Sequence, residues 1–194
     1  MIKVQVINKE GTIIAEAVGT KEVNLPVSRT YEEGDRVVFL VDETPAFYVF
    51  QADDALGEAL VYVTGEVSYE IPFGEKKVCY SPKIFSGESH LVTARKAREW
   101  EYESYRNLAV NVMDQHGDTN CYPHATANVE TRGESVFAAR NAIDGVTSNH
   151  SHGYWPYGSW GINRNPQATM RVDFGREVTT DRIEIYTCLL YTSD

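Results

Sequence analysis

The loop from His152 to Trp160 carries the densest set of side chains suited to recognition chemistry. It reads His152-Gly153-Tyr154-Trp155-Pro156-Tyr157-Gly158-Ser159-Trp160, and Asn163 and Arg164 follow closely. A sugar presents a flat C–H face and a rim of hydroxyls. An exposed aromatic ring takes the face with its apolar, electron-rich surface. Imidazole, amide and guanidinium groups take the rim by hydrogen bonding. Trp155 and Tyr157 are therefore the stacking candidates, with His152, Asn163 and Arg164 as polar partners. Gly153, Pro156 and Gly158 set the backbone that holds the rings. The competing use of these rings is to turn inward and close the mouth of a β-sandwich, since large aromatics are usually buried.

Other constellations are looser. Asp144-Gly145 suits an Asx-turn, in which the carboxylate accepts from its own backbone and glycine supplies a positive φ. His150 and His152 are two apart, with His116 and His124 upstream; a zinc site would need them to converge with a carboxylate. Asp53 and Asp54, with Glu58 nearby, are the one carboxylate cluster that raises glycoside hydrolysis, which uses two carboxyl groups about 5–9 Å apart. Neighbours on a strand point to opposite faces, and Ala55-Leu56-Gly57 follows, so the pair reads as a turn. The segment from Tyr80 to His90 contains Ser, Lys, Glu and His but lacks a Gly-x-Ser-x-Gly elbow. These residues favour binding over catalysis.

The elements that must position the loop are strands. Ile2 to Ile7 and Thr12 to Ala17 flank the hairpin signal Asn8-Lys9-Glu10-Gly11. Arg36 to Val41, Ala46 to Gln51, Leu60 to Thr64 and Val67 to Ile71 follow, with turn signals about every 8–12 residues, the spacing of an all-β sandwich or barrel. One helical candidate, Ala94 to Tyr105, reads as a connector. Near Tyr105 the texture changes to Asn, His, Gly and Pro, which is loop chemistry. The expectation is an all-β chain of two jelly-roll-like β-sandwich domains: 1–104, and an incomplete second one over 105–187. Residues 188–194 are expected to be a non-native tail resembling translated adapter read-through.

Composition bounds the function. A formal net charge of −10 lacks the basic footprint of nucleic-acid binding. No stretch approaches the roughly 20 apolar residues of a membrane helix, and Met1 to Ile7 alternates like a strand and not like a signal peptide. The compartment is left open, with the cytoplasm as the default. Cys79, Cys121 and Cys188 are odd in number and widely spaced, which favours buried free thiols over disulfides or zinc.

Asn141-Ala142-Ile143-Asp144-Gly145, Ser159-Trp160, Val172-Asp173-Phe174-Gly175 and the run Val178 to Ile185 come in the order of a known pattern. Over roughly residues 107 to 187 the chain resembles the discoidin, or coagulation-factor type C, domain of the galactose-binding-like superfamily. Phe174 stands where that family has Leu, and Ala125 to Asn128 is similar to its first strand. The resemblance implies a jelly-roll sandwich that binds carbohydrate without catalysis, with Trp160 packed inside. It also implies a calcium ion beside the acidic turn, held by Asn141, Asp144 and Thr147. The alternatives are an accessory region of a larger glycan-active enzyme, or a protein-interaction module. The oligomeric state and the glycan are not legible.

Overall fold

The computed structural model describes residues 1–148 and 151–187. Its architecture is all-β, built from antiparallel sheets. One four-stranded sheet has the order β2-β1-β4-β7, formed by Ile2–Ile7 (β1), Ile13–Gly19 (β2), Arg36–Val41 (β4) and Val67–Glu70 (β7). A five-stranded sheet has the order β3-β8-β5-β6-β9. Its strands are Glu22–Val27 (β3), Ala46–Gln51 (β5), Ala59–Val63 (β6), His90–Lys96 (β8) and Cys121–Tyr122 (β9). Strands β3, β6 and β7 alternate buried and less buried residues, the signature of a sheet with one face on a core. Val4, Val6, Val37 and Phe39 from the first sheet meet Leu25, Phe50, Val61 and Val92 from the second. Phe39 and Phe50 stack across the two sheets with centroids 4.4 Å apart.

The hairpin expected at Asn8–Gly11 forms. Gly11 has φ 85°, its N–H donates to the Asn8 carbonyl (3.0 Å), and the Thr12 N–H donates to the Asn8 side-chain oxygen (2.8 Å). Strands β4 and β5 fall where the sequence places them. Three strands were not legible, and one of them, β9, falls in the stretch read as loop. Strand β3 contains Pro26, which demotes a run to non-strand or edge, and it is indeed an edge strand. Strand β8 lies between β3 and β5, and its Ala94, Arg95 and Lys96 correct the expected helix. Only Glu99–Glu103 (α1) is helical. Ala94 faces the core, while Arg95 reaches back to grip Glu101 with two bonds of 2.7 Å.

Beyond residue 105 the chain is mostly turns. His124–Ala127 (β10) pairs with Met170–Asp173 (β11) in a two-stranded sheet, and short 3-10 turns lie between them. The strand expected over Val178 to Ile185 does not form: residues 177 to 187 make no ladder, and Ile183 and Ile185 are exposed. A strand needs a neighbour for its N–H and C=O groups, and none lies beside it among the described residues. The expected boundary near 104–105 is bridged by direct contacts. Strand β9 pairs with β6, Gln115 exchanges hydrogen bonds with the Glu70 backbone, and Met113, Val136 and Phe137 join the main core. Gly175 abuts this junction; a Cβ there would lie 2.5 Å from the Tyr122 ring.

Cys79 and Cys121 are free and buried, as expected; Cys188 lies outside the described residues. Burial pushes the Cys79 thiol above its ordinary pKa, and burial with the Asp114 charge pushes Cys121 up to about 12. Neither is a thiolate near neutral pH. Native protein is expected to resist iodoacetamide at both positions and to react at both once unfolded, read by mass spectrometry.

Candidate functional site

The appended turns meet the sandwich around a hollow of about 180 Å³. Ala55, Leu56 and Gly57 form one wall and Cys79, Tyr80 and Ser81 another; Arg140, Asp144 and Trp155 complete it. Leu56 and Gly57 lie on the loop after β5, whereas Arg140 belongs to a 3-10 turn at Ala139–Ala142. The hollow therefore exists only where the two regions touch.

Arg140 is the organising group. Its Nε donates to the Asp114 carbonyl (2.8 Å), one terminal nitrogen to the Asn141 Oδ1 (3.0 Å) and the other to the Val112 carbonyl (3.1 Å). Its guanidinium carbon lies 4.4 Å from the centroid of the Tyr80 ring. All these partners are neutral. A buried cation held without a carboxylate in contact leaves a positive field in the cavity it borders. Asp144 is the nearby anion. Its Oδ1 accepts from the Val146 N–H (2.8 Å), which is the expected Asx-turn, and Gly145 follows with φ 84°. Burial raises the Asp144 pKa, opposed by the Val146 N–H and by Arg140.

The aromatic loop divides its rings. Trp160 turns in, packs on the small cluster of Ala125, Ala139 and Ile143, and donates from Nε1 to the Val129 carbonyl (2.9 Å). Trp155 is 40% exposed at the lip of the hollow, with its N–H anchored on the Val78 carbonyl (3.2 Å). Tyr154 is 54% exposed and meets Tyr157 edge-on, with centroids 5.6 Å apart. Tyr157 is half-buried, and its N–H donates to the Tyr154 carbonyl (2.7 Å).

Of the residues expected to bind ligand, Trp155 alone lines this hollow. His152 is exposed, with its ring 5.9 Å from that of Phe137. Asn163 and Arg164 are exposed with φ of 49° and 55°, and the Asn163 N–H donates to the Thr131 hydroxyl. Of the expected calcium set, Asp144 alone borders the hollow. The Asn141 amide is occupied within the protein, donating to the Ser135 carbonyl (2.8 Å) and accepting from Arg140. Thr147 is exposed. Side chains alone fall short of the six to eight oxygens calcium takes, so an ion at this turn would draw on main-chain oxygens.

Arg140, Cys79 and Tyr80 were missed. Arg140 had a signal: it is the one charge inside Val136-Phe137-Ala138-Ala139-Arg140-Asn141-Ala142-Ile143. A charge within so apolar a run is buried with partners or does not persist.

His116, His124 and His152 do not converge on a zinc site among the described residues. His116 pairs with Glu130 (2.8 Å) and His124 with buried Asp114 (2.7 Å), while His150 lies outside the described residues. The Asp114 hydrogen bond raises the His124 pKa above its ordinary 6.5, against a smaller desolvation effect. A raised folded-state pKa gives stabilisation that is fully present below the unfolded value and lost as pH rises through the folded one. Wild type is therefore expected to lose more urea resistance than His124→Gln between about pH 5 and about pH 9. Equal losses would remove the linkage.

No family model matches this chain, and neither a curated protein nor a solved structure matches it. The fold and site define its class: an all-β, antiparallel protein with an aromatic-lipped, charge-lined hollow at the junction of its two regions. No helix among the described residues is long and apolar enough to cross a membrane.

Proposed function

We propose that this protein binds carbohydrate without transforming it, with Trp155 as the stacking ring and the adjoining hollow as the polar subsite. The observation that carries this reading is the position of the exposed Trp155 beside a cavity that Arg140 and Asp144 also border. The ring offers an apolar face to one side of a pyranose. Asp144 accepts from vicinal hydroxyls, and the Arg140 field favours their oxygens. The two charges offset one another, which suits a neutral, hydroxyl-rich ligand in the hollow. The half-buried Tyr157 braces the exposed Tyr154, the residue before Trp155. Affinity is modest, because a shallow site with one main ring buries little area.

Calcium belongs to the same reading. Held at the turn by Asp144 with main-chain oxygens from Asn141 to Thr147, it stiffens the loop and does not touch the sugar. Calcium then raises the melting temperature of EDTA-stripped protein; an unchanged melt removes the ion.

A glycan array tests the function. The expected result is binding to a related set of glycans sharing one terminal sugar. Silence across the array, with a protein captured tightly in a pull-down, would replace this reading with a protein-interaction module.

A further inference from the structure

The turn after β5 holds a second constellation, independent of the sugar reading. Asp53 is 1% exposed and His90, the first residue of β8, is 5% exposed. The two strands are neighbours, and their pairing brings the turn against His90. The His90 Nδ1 lies 3.0 Å from the Asp53 Oδ2, and its Nε2 lies 3.2 Å from the Gly87 carbonyl. The exposed Asp54 carboxylate reaches the same place, accepting from the Leu91 N–H (3.3 Å). One ligand atom from each of Asp53, Asp54 and His90 lies within 4.8 Å of the others, and no other such trio occurs among the described residues.

The hydrogen-bond inventory asks for a cation. A carbonyl only accepts, so the His90 Nε2 must carry the proton it donates to Gly87. In the neutral ring, Nδ1 is then a lone pair, and it faces a carboxylate oxygen. Two acceptors at 3.0 Å need a positive charge between them, either a second proton or a metal ion. A ring whose far N–H is fixed on a backbone carbonyl is the usual arrangement of a metal-ligating histidine. A separate observation points the same way. Tyr31 is 3% exposed, its ring centroid is 4.4 Å from that of His90, and its hydroxyl has no hydrogen-bond partner.

We propose that Asp53, Asp54 and His90 bind a divalent transition-metal ion, with the Tyr31 hydroxyl turned toward it. One imidazole with carboxylates suits zinc or manganese. Ligand atoms about 2.0–2.2 Å from zinc lie roughly 3.3–3.5 Å apart in a tetrahedron. The His90–Asp53 pair is already near that spacing, and exposed Asp54 would close on it by giving up its 3.3 Å bond from the Leu91 N–H. The ion would pin the turn that continues into Ala55, Leu56 and Gly57, one wall of the hollow. Its role is to brace the turn, and no reaction is assigned to it.

Zinc chloride titrated into the EDTA-stripped full chain, by calorimetry and by melting, tests the site. Asp54→Asn is the informative variant, since Asp54 is exposed and its loss leaves the core intact. One equivalent of zinc is expected to bind and raise the melting temperature. Asp54→Asn is expected to weaken binding by at least about tenfold, as losing a direct ligand should cost no less than losing a second-sphere partner. The calcium response of the Asp144 turn is expected to survive in that variant, which separates the two ions. Zinc binding that is absent, or undiminished in Asp54→Asn, overturns the proposal.

Discussion

Trp155→Ala is expected to weaken glycan binding by about thirtyfold, or about 2 kcal/mol, while melting close to wild type. The ring is 40% exposed and lines a cavity, so its removal takes little from the core. The backbone bond from the Trp155 N–H to Val78 survives the change. Tyr157→Ala separates the roles. Tyr157 is half-buried and braces Tyr154, so its loss is expected to disturb the loop and lower the melting temperature before it reports on stacking. Isothermal titration with an array-selected glycan gives the first quantity and calorimetric melting the second. Wild-type affinity in Trp155→Ala would place the ligand elsewhere.

Arg140→Met is expected to destabilise the protein by about 3–5 kcal/mol, the cost of leaving its buried neutral acceptors unpaired. The guanidinium serves Asp114, Val112 and Asn141 at once and covers the Tyr80 ring. Methionine fills volume but leaves three buried acceptors short of donors, each loss costing about 1–3 kcal/mol. Against a typical total of about 5–15 kcal/mol, that is a large share. Arg140→Lys is expected to rescue little, because one ammonium cannot span acceptors arranged for a planar fork. Urea unfolding measures both variants. A loss under about 1 kcal/mol for Arg140→Met would show that the network is dispensable.

The sandwich was legible in the sequence wherever one face alternates and a turn residue marks the end. Strands β4 and β5 are apolar runs bounded by Gly34-Asp35 and Thr44-Pro45, and the first hairpin is announced by Asn8 and Gly11. Strand β3 was hidden by Pro26 and β8 by Arg95 and Lys96, which suggest a helix until the partner strands are known. Pairing partners distant in sequence decide such segments.

The site was half legible. Trp155 and Asp144 stood out by type and by neighbouring glycines, yet nothing local shows that they share a cavity with Cys79 and Tyr80 from the other region. Asp53 and Asp54 read correctly as a turn: Asp53 accepts from the Ala55 N–H at 2.9 Å. Their convergence on His90, 37 residues away, depends on β5 lying beside β8. Juxtapositions of that kind come from topology, which local spacing does not encode.

The three tryptophans allow one direct measurement of the central claim. Trp155 lines the hollow, Trp160 is bonded inside through its Nε1, and Trp100 is exposed on α1, away from the hollow's lining. Each indole N–H gives its own peak in a nitrogen-15 correlation spectrum. Titration with the array-selected glycan is predicted to move the Trp155 peak while those of Trp100 and Trp160 stay. A stationary Trp155 peak under saturating glycan, or movement of Trp100 in its place, would contradict the account.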